Sequence, residues 1–383
     1  MKAVHFGAGS IGRGFVGLLL HEAGHELVFS DVSAELVDAL NAVSSYTVHE
    51  VGPGGSDKVV TRFRAINSAE HPEEVIDEIS VANVVTTAVG PPVLKFLAPL
   101  ILSGLALRDP AAPPLQIMAC ENAINATDVL RDHIRERAGA AWDAIVGRAI
   151  FANTAVDRIV PEPQENRGLD VTVEPFYEWA IERTPFGDLP PVIPGAHFVH
   201  DLAPYIERTL FTVTTGHSAT AYFGALAGVQ RISDALAVPE IEARVRAALG
   251  ETSALLVAKH ELDPHGLAEY RERILDRFRN PALPDTVWRV GRQPLRQLSR
   301  HERFVGPAAE AAERGLPVTA LVEAMGAALG FDDGEDPQSV EMQRMLREDD
   351  AETFTAVVTG LDPDHPLFPR VAQSVARRQR ELA

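Results

Sequence analysis

The chain has 383 residues, of which 46% are hydrophobic, and a formal net charge of −19. That length exceeds what one hydrophobic core commonly serves, so two domains are expected. The acidic balance excludes nucleic acid as the main partner, because phosphate backbones require basic stripes and arginine here is scattered. A lone cysteine, Cys120, excludes an internal disulfide framework and fits a reducing compartment. The start, Met1-Lys2-Ala3-Val4-His5-Phe6, lacks the long apolar core of a secretion signal, and no uncharged run approaches the ~20 residues of a membrane span. A soluble, cytoplasmic protein without membrane contact is expected.

Residues 2–6 read as a short strand, followed by glycines and then by Phe15-Val16-Gly17-Leu18-Leu19-Leu20, whose density of apolar residues suits a helix packed on a sheet. Gly24 ends that helix, and Glu26-Leu27-Val28-Phe29-Ser30 forms a second strand closing on Asp31. Further β-branched, apolar runs at 84–89, 115–120 and 149–152 are separated by helix-length segments, an alternation that predicts a mostly parallel, doubly wound sheet. The alternating run 169–174 is expected to extend that sheet. Four prolines and two glycines between Thr184 and Gly195 exclude regular structure there and mark a domain junction, giving domains 1–195 and 196–383. Beyond it strand signals nearly vanish, and helices are expected over 218–236, 239–258, 317–329 and 366–382.

Gly7-Ala8-Gly9-Ser10-Ile11-Gly12 is a G-x-G-x-x-G, weak alone but placed here between a strand and a helix. The first glycine serves the tight turn, the second lets backbone approach a pyrophosphate, and the third allows close helix–strand packing. The helix that starts there offers free N–H groups and a positive dipole end to phosphate. Asp31, about 20 residues on, can accept hydrogen bonds from an adenosine ribose and would repel a 2′-phosphate, so NAD is favoured over NADP. The expected cofactor-binding set is Ala3, Val4, His5, Phe6, Gly7, Ala8, Gly9, Ser10, Ile11, Gly12, Arg13, Gly14 and Asp31, with Arg13 reaching phosphate. His21-Glu22-Ala23-Gly24-His25 matches the H-E-x-x-H of zinc peptidases, but Gly24 breaks the shared helix face that such a site needs. No metal is expected.

The sequence resembles the polyol-specific long-chain dehydrogenase/reductase family along nearly its whole length. The resemblance rests on Lys2-Ala3-Val4-His5-Phe6-Gly7-Ala8-Gly9 with Ile11-Gly12-Arg13-Gly14-Phe15, Ala119-Cys120-Glu121-Asn122, and Asn153-Thr154-Ala155-Val156-Asp157-Arg158-Ile159-Val160-Pro161. Glu174-Pro175-Phe176 with Glu178-Trp179 and Val290-Gly291-Arg292-Gln293-Pro294-Leu295-Arg296 complete it. It implies an α/β Rossmann-type doubly wound sheet followed by an all-helical C-terminal domain, a metal-independent mechanism, and often a monomer. It also implies NAD-dependent hydride transfer between mannitol 1-phosphate and fructose 6-phosphate, so that the partner is a small sugar-alcohol phosphate. A related polyol or hexonate dehydrogenase and a catalytically silent NAD-binding variant are the alternatives.

The family's catalytic segment carries a lysine, an asparagine five residues on and a histidine three further, and an earlier catalytic asparagine that falls on Asn122. In Thr209-Leu210-Phe211-Thr212-Val213-Thr214-Thr215-Gly216-His217 the histidine is kept as His217, while the lysine and asparagine positions hold Thr209 and Thr214. Threonine cannot titrate near neutral pH, so His217 acts either as the base or as a group ordering the substrate hydroxyls. Arg292 and Arg296, with Lys259 and Arg208 behind them, are the expected phosphate ligands, since arginine suits phosphate through its bidentate geometry.

Overall fold

The computed structural model describes residues 1–121, 123–161, 168–187 and 190–382. Among the described residues, twelve strands follow in chain order: β1 (Lys2–Phe6), β2 (Glu26–Asp31), β3 (Ser45–Glu50), β4 (Asp57–Thr61), β5 (Phe63–Asn67), β6 (Val84–Thr87), β7 (Leu115–Ala119), β8 (Ala149–Phe151), β9 (Thr154–Asp157), β10 (Val171–Val173), β11 (Glu178–Glu182) and β12 (Ala196–Val199). Six of them form an all-parallel sheet in the order β5-β2-β1-β6-β7-β8. The order reverses between β1 and β6, the doubly wound arrangement in which ligands meet the carboxyl ends of the strands. Apolar runs such as Ala3, Val4 and Phe6 are buried because helices cover both faces. On one face Phe15, Leu18, Leu19, Leu20 and Phe29 share a core with Tyr46 and Trp179; on the other, Val4, Phe6 and Val28 meet Ile79, Ile101 and Ile134.

Two small sheets were not foreseen. One has the order β10-β3-β4 and the other β12-β11-β9. The run expected to extend the main sheet is β10, which instead pairs in parallel with β3 through Val171–Val48 and Val173–Glu50. Its alternating pattern records one buried face, not membership of the central sheet. Because β12 pairs with β11, the chain divides into compact units at Met1–Ile206 and Glu207–Ala383, beyond the junction expected at 195/196.

In the second unit every described regular element is helical, apart from an isolated bridge between Arg231 and Thr286. The helix Thr215–Leu226 is buried on nearly every side, as its mostly small and apolar residues require, with His217 half-buried near its start. The single helix expected over 218–236 is two, Thr215–Leu226 and Ile232–Leu236, divided where Gly228 takes φ +72°. No helix among the described residues is long and apolar enough to cross a membrane.

Candidate functional site

The turn leaving β1 is built by two glycines that no other residue can replace. Gly7 sits at φ +96°, where an added Cβ would stand 2.4 Å from the Ala88 carbonyl oxygen, and at Gly12 a Cβ would fall 1.9 Å from the Gly7 oxygen and 2.8 Å from His5 Nε2. Gly7 N–H donates to the Ser30 oxygen (2.8 Å), tying the turn to β2. Gly9 differs, since a Cβ there would meet no protein atom within 4 Å. Packing therefore does not demand glycine at 9, and the open main chain is what a close-approaching phosphate requires. From Ser10 the helix passes through a π-helical stretch, Gly12–Val16, into Gly17–Glu22.

Asp31 closes β2 beside this loop. Its Oδ2 accepts from Ala8 N–H (2.7 Å) and its Oδ1 from Ser33 N–H (3.0 Å), so the carboxylate braces the loop and keeps acceptor capacity for ribose hydroxyls. Arg13, expected to reach phosphate, does not. Its side chain is buried, donating through Nη1 to the Ala8 oxygen and through Nε to the Leu169 oxygen (3.1 Å), while its own carbonyl accepts from Tyr46 Oη (3.1 Å). It is a clamp under the loop. Ala3, Val4, His5 and Phe6 are buried too and lead into the loop, and Gly14 packs closely, a Cβ there standing 2.8 Å from Val171. Burial pulls the His5 imidazole down to about 3, so it stays neutral, with Nδ1 2.7 Å from Thr86 Oγ1.

Glu121, which sequence reasoning left without a role, fastens the segment after β6. Its buried carboxylate accepts from Thr87 Oγ1 (2.6 Å), Val89 N–H (3.1 Å) and Gly90 N–H (2.8 Å). Asn122 lies outside the described residues. The H-E-x-x-H stretch is no metal site, because its helix ends at Glu22 and Gly24 turns at φ +84° before His25.

In the second unit, Thr209–Thr214 is a π-helical turn running into the helix Thr215–Leu226. The i→i+5 bonding of a π turn stacks residues five apart, and an α-helical step of three returns to the same face. That geometry explains how Thr209, Thr214 and His217 come onto one face; Thr214 Oγ1 reaches back to the Thr209 oxygen (3.4 Å). The Thr209 hydroxyl is buried and has no hydrogen-bond partner. The His217 ring stacks on Phe278 (centroids 4.8 Å apart, planes at 13°), and its Nε2 lies 2.9 Å from Asp285 Oδ2. Arg289 Nε donates to the other Asp285 oxygen (2.6 Å). Burial alone would push the Asp285 carboxyl up, but His217 and Arg289 together hold it well below the usual carboxylate range.

The expected basic residues separate into two groups. Lys259 is sequestered, its Nζ donating to Glu207 Oε1 (2.8 Å) and Glu310 Oε2 (2.7 Å), so it faces two carboxylates and is a poor phosphate ligand. Arg208 lies over the Tyr270 ring at 4.3 Å. Arg292 and Arg296 are exposed. Arg296 Nη1 donates to Glu302 Oε1 (2.9 Å), whose other oxygen accepts from the buried Arg303; Arg303 in turn donates to Ser218 Oγ (3.1 Å), the residue after His217. The structure thus joins Arg296 to the His217 helix through Glu302 and Arg303, two residues that carry no sequence motif.

Residues 1–195 match the family described as mannitol dehydrogenase Rossmann domain, and residues 201–364 match mannitol dehydrogenase C-terminal domain. Over all of both chains, the sequence is 60% identical to a mannitol-1-phosphate 5-dehydrogenase of Paenarthrobacter aurescens. It is 51% identical to one of Ajellomyces capsulatus, over 99% of each chain. Among solved structures, the mannitol 2-dehydrogenase of Pseudomonas fluorescens, in ternary complex with NAD and D-mannitol, superimposes with a TM-score of 0.79 at 19% identity, covering 100% of this chain and 92% of that one. With the glycine turn, the doubly wound sheet and the helical second unit all within matched segments, the chain belongs to the mannitol dehydrogenase family.

Proposed function

We propose that this chain interconverts mannitol 1-phosphate and fructose 6-phosphate with NAD, at a turnover limited by the threonine at 209. The observation that carries the reading is the full-length identity to mannitol-1-phosphate 5-dehydrogenases, taken with a glycine turn whose open Gly9 face fits a pyrophosphate. NAD, when bound, supplies the hydride acceptor. The residues present fit it: Gly7 and Gly12 shape the turn, Gly9 leaves the main chain open, the helix from Ser10 faces its N–H groups to phosphate, and Asp31 accepts from the ribose. Asp31 also disfavours the additional phosphate of NADP.

The N-terminal 195 residues or so hold the cofactor in this reading, and the helical remainder holds the polyol as a monomer. Arg292 and Arg296 meet the substrate phosphate, and no metal takes part. Oxidation needs a base for the hydroxyl proton and donors for an oxygen gaining alkoxide character. Thr209 can offer a hydrogen bond but no titrating group, so the proton passes to His217, helped by the donor groups of Thr214 and Asn122. The buried, unpartnered hydroxyl of Thr209 is also what a silent NAD-binding variant would carry, and this second reading differs in predicting binding without turnover.

Calorimetry with NAD and NADP, beside NADH formation from mannitol 1-phosphate and from mannitol, tests both. Tight NAD binding with slow turnover of the phosphorylated polyol is expected. Equal affinity for NAD and NADP, or a preference for free mannitol, contradicts the assignment.

A further inference from the structure

The surroundings of His217 carry an inference that rests on the dehydrogenase reading and deepens it. The ring is held on its face by Phe278 and on its edge by Asp285, with only 16% of the side chain exposed. Nε2 and Asp285 Oδ2 stand 2.9 Å apart without the alignment of a hydrogen bond, so the contact is electrostatic, and it favours a proton on Nε2 because two lone pairs at that distance repel. With the proton on Nε2, the neutral ring carries its lone pair on Nδ1. Asp285 is itself immobilised: it is 4% exposed, its backbone oxygen accepts from Ile232 N–H (3.1 Å), its N–H donates to the Leu283 oxygen (2.9 Å), and Arg289 occupies its second carboxylate oxygen (2.6 Å). Arg289 also balances its charge, so the carboxylate is ready to meet a positive imidazolium.

We propose that Asp285, anchored by Arg289, is the positioning residue that makes His217 the base, so that the imidazolium formed on His217 stands in for the cation that a lysine at 209 would supply. In the oxidation direction the C–H bond of the carbinol breaks and its electron pair leaves as hydride to the nicotinamide. The O–H bond breaks, its electrons form the carbonyl π bond, and its proton passes to His217 Nδ1. Asp285 stays ionised and faces the imidazolium through Nε2–H, and the Nδ1 proton then passes to solvent. The arrangement follows the logic of an aspartate that sets the tautomer of a catalytic histidine without taking up the proton itself.

The test is the 15N spectrum of the His217 ring in the full chain, unmodified and as Asp285→Asn, with steady-state kinetics on both and with Arg289→Gln as a third form. The unmodified chain should show a protonated Nε2 and an unprotonated Nδ1. Asp285→Asn should shift the ring toward the other tautomer and lower kcat about tenfold or more, with NAD affinity and KM for the polyol within about twofold. Arg289→Gln should give a smaller loss in the same direction. An Nδ1–H tautomer in the unmodified chain overturns the proposal and needs no variant to fold. So does an Asp285→Asn protein that keeps both tautomer and kcat. Absence of any turnover in the unmodified chain overturns the dehydrogenase reading instead, and the tautomer still decides the placement of Asp285.

Discussion

Alanine at Gly9 and alanine at Gly12 should separate what the glycine turn does for the fold from what it does for a ligand. At Gly12 a Cβ falls 1.9 Å from the Gly7 carbonyl oxygen and 2.8 Å from His5 Nε2, a clash that only backbone movement relieves. Overpacking of this kind costs about 1–3 kcal/mol or more, and the better helix propensity of alanine returns at most ~1 kcal/mol. A net loss of roughly 1–2 kcal/mol lowers Tm by about 2–8 °C in a unit of this size. At Gly9 the Cβ meets nothing within 4 Å and the backbone is not left-handed, so Gly9→Ala should leave Tm within about 2 °C. The added methyl would nevertheless stand where the pyrophosphate must come close, so NAD affinity should fall about tenfold or more, ~1.4 kcal/mol. Thermal unfolding without ligand and calorimetry with NAD read both effects. A Gly9→Ala protein that binds NAD like the unmodified chain refutes the role given to the open face, and an undiminished Tm for Gly12→Ala refutes the geometry of the turn.

Asp31→Ser should bring NAD and NADP affinities together, and because Asp31 also accepts from Ala8 N–H, total affinity should drop as well; calorimetry with both cofactors checks this. Thr209→Lys should raise kcat by up to about 10²-fold, since lysine adds a cation beside the oxygen gaining alkoxide character and a base nearer to it than His217, and the Thr209 hydroxyl has no partner to lose. Thr214→Asn added to it should raise kcat further but less than additively, because both groups serve one oxygen; no gain from Thr209→Lys would refute this mapping of the catalytic segment. Arg292→Ala and Arg296→Ala should each raise KM for the phosphorylated polyol and leave NAD affinity alone; unchanged KM in both places the phosphate elsewhere. His5 makes the fold sensitive to acid: the unfolded chain takes up a proton near 6.5 but the folded chain only near 3. The unfolded state therefore binds more protons in that window, and stability falls as pH falls, by roughly 5 kcal/mol at the limit. Tm measured from pH 7 to pH 5 should decline more steeply than in His5→Gln, and parallel slopes would exclude His5 as the cause.

The central sheet was legible because parallel strands buried on both faces write continuous apolar runs, and residues 2–6, 84–87 and 115–119 are such runs. Short strands were not: β9 and β12 have four residues each, and their pairing partner β11 is set by tertiary contact that no local pattern encodes. The glycine turn could be read because its chemistry is local. Arg13 was misjudged for the opposite reason, since one of its carbonyl partners, Leu169, lies far along the chain. Lys259 looked available until Glu207 and Glu310 closed on it from other segments. Asp285 escaped notice because its link to His217 joins a loop to a buried helix, although Asp285 and Arg289, four apart, leave a faint i,i+4 signal.

The most direct measurement is the initial rate of NADH formation by the full chain with NAD and mannitol 1-phosphate, set beside mannitol and beside the Thr209→Lys form. A slow but measurable rate with the phosphorylated polyol, a lower one with mannitol, and a rise of up to about 10²-fold on restoring lysine are expected. No NADH from either polyol, with or without lysine at 209, while NAD still binds, would contradict the assignment of this chain as a mannitol 1-phosphate dehydrogenase.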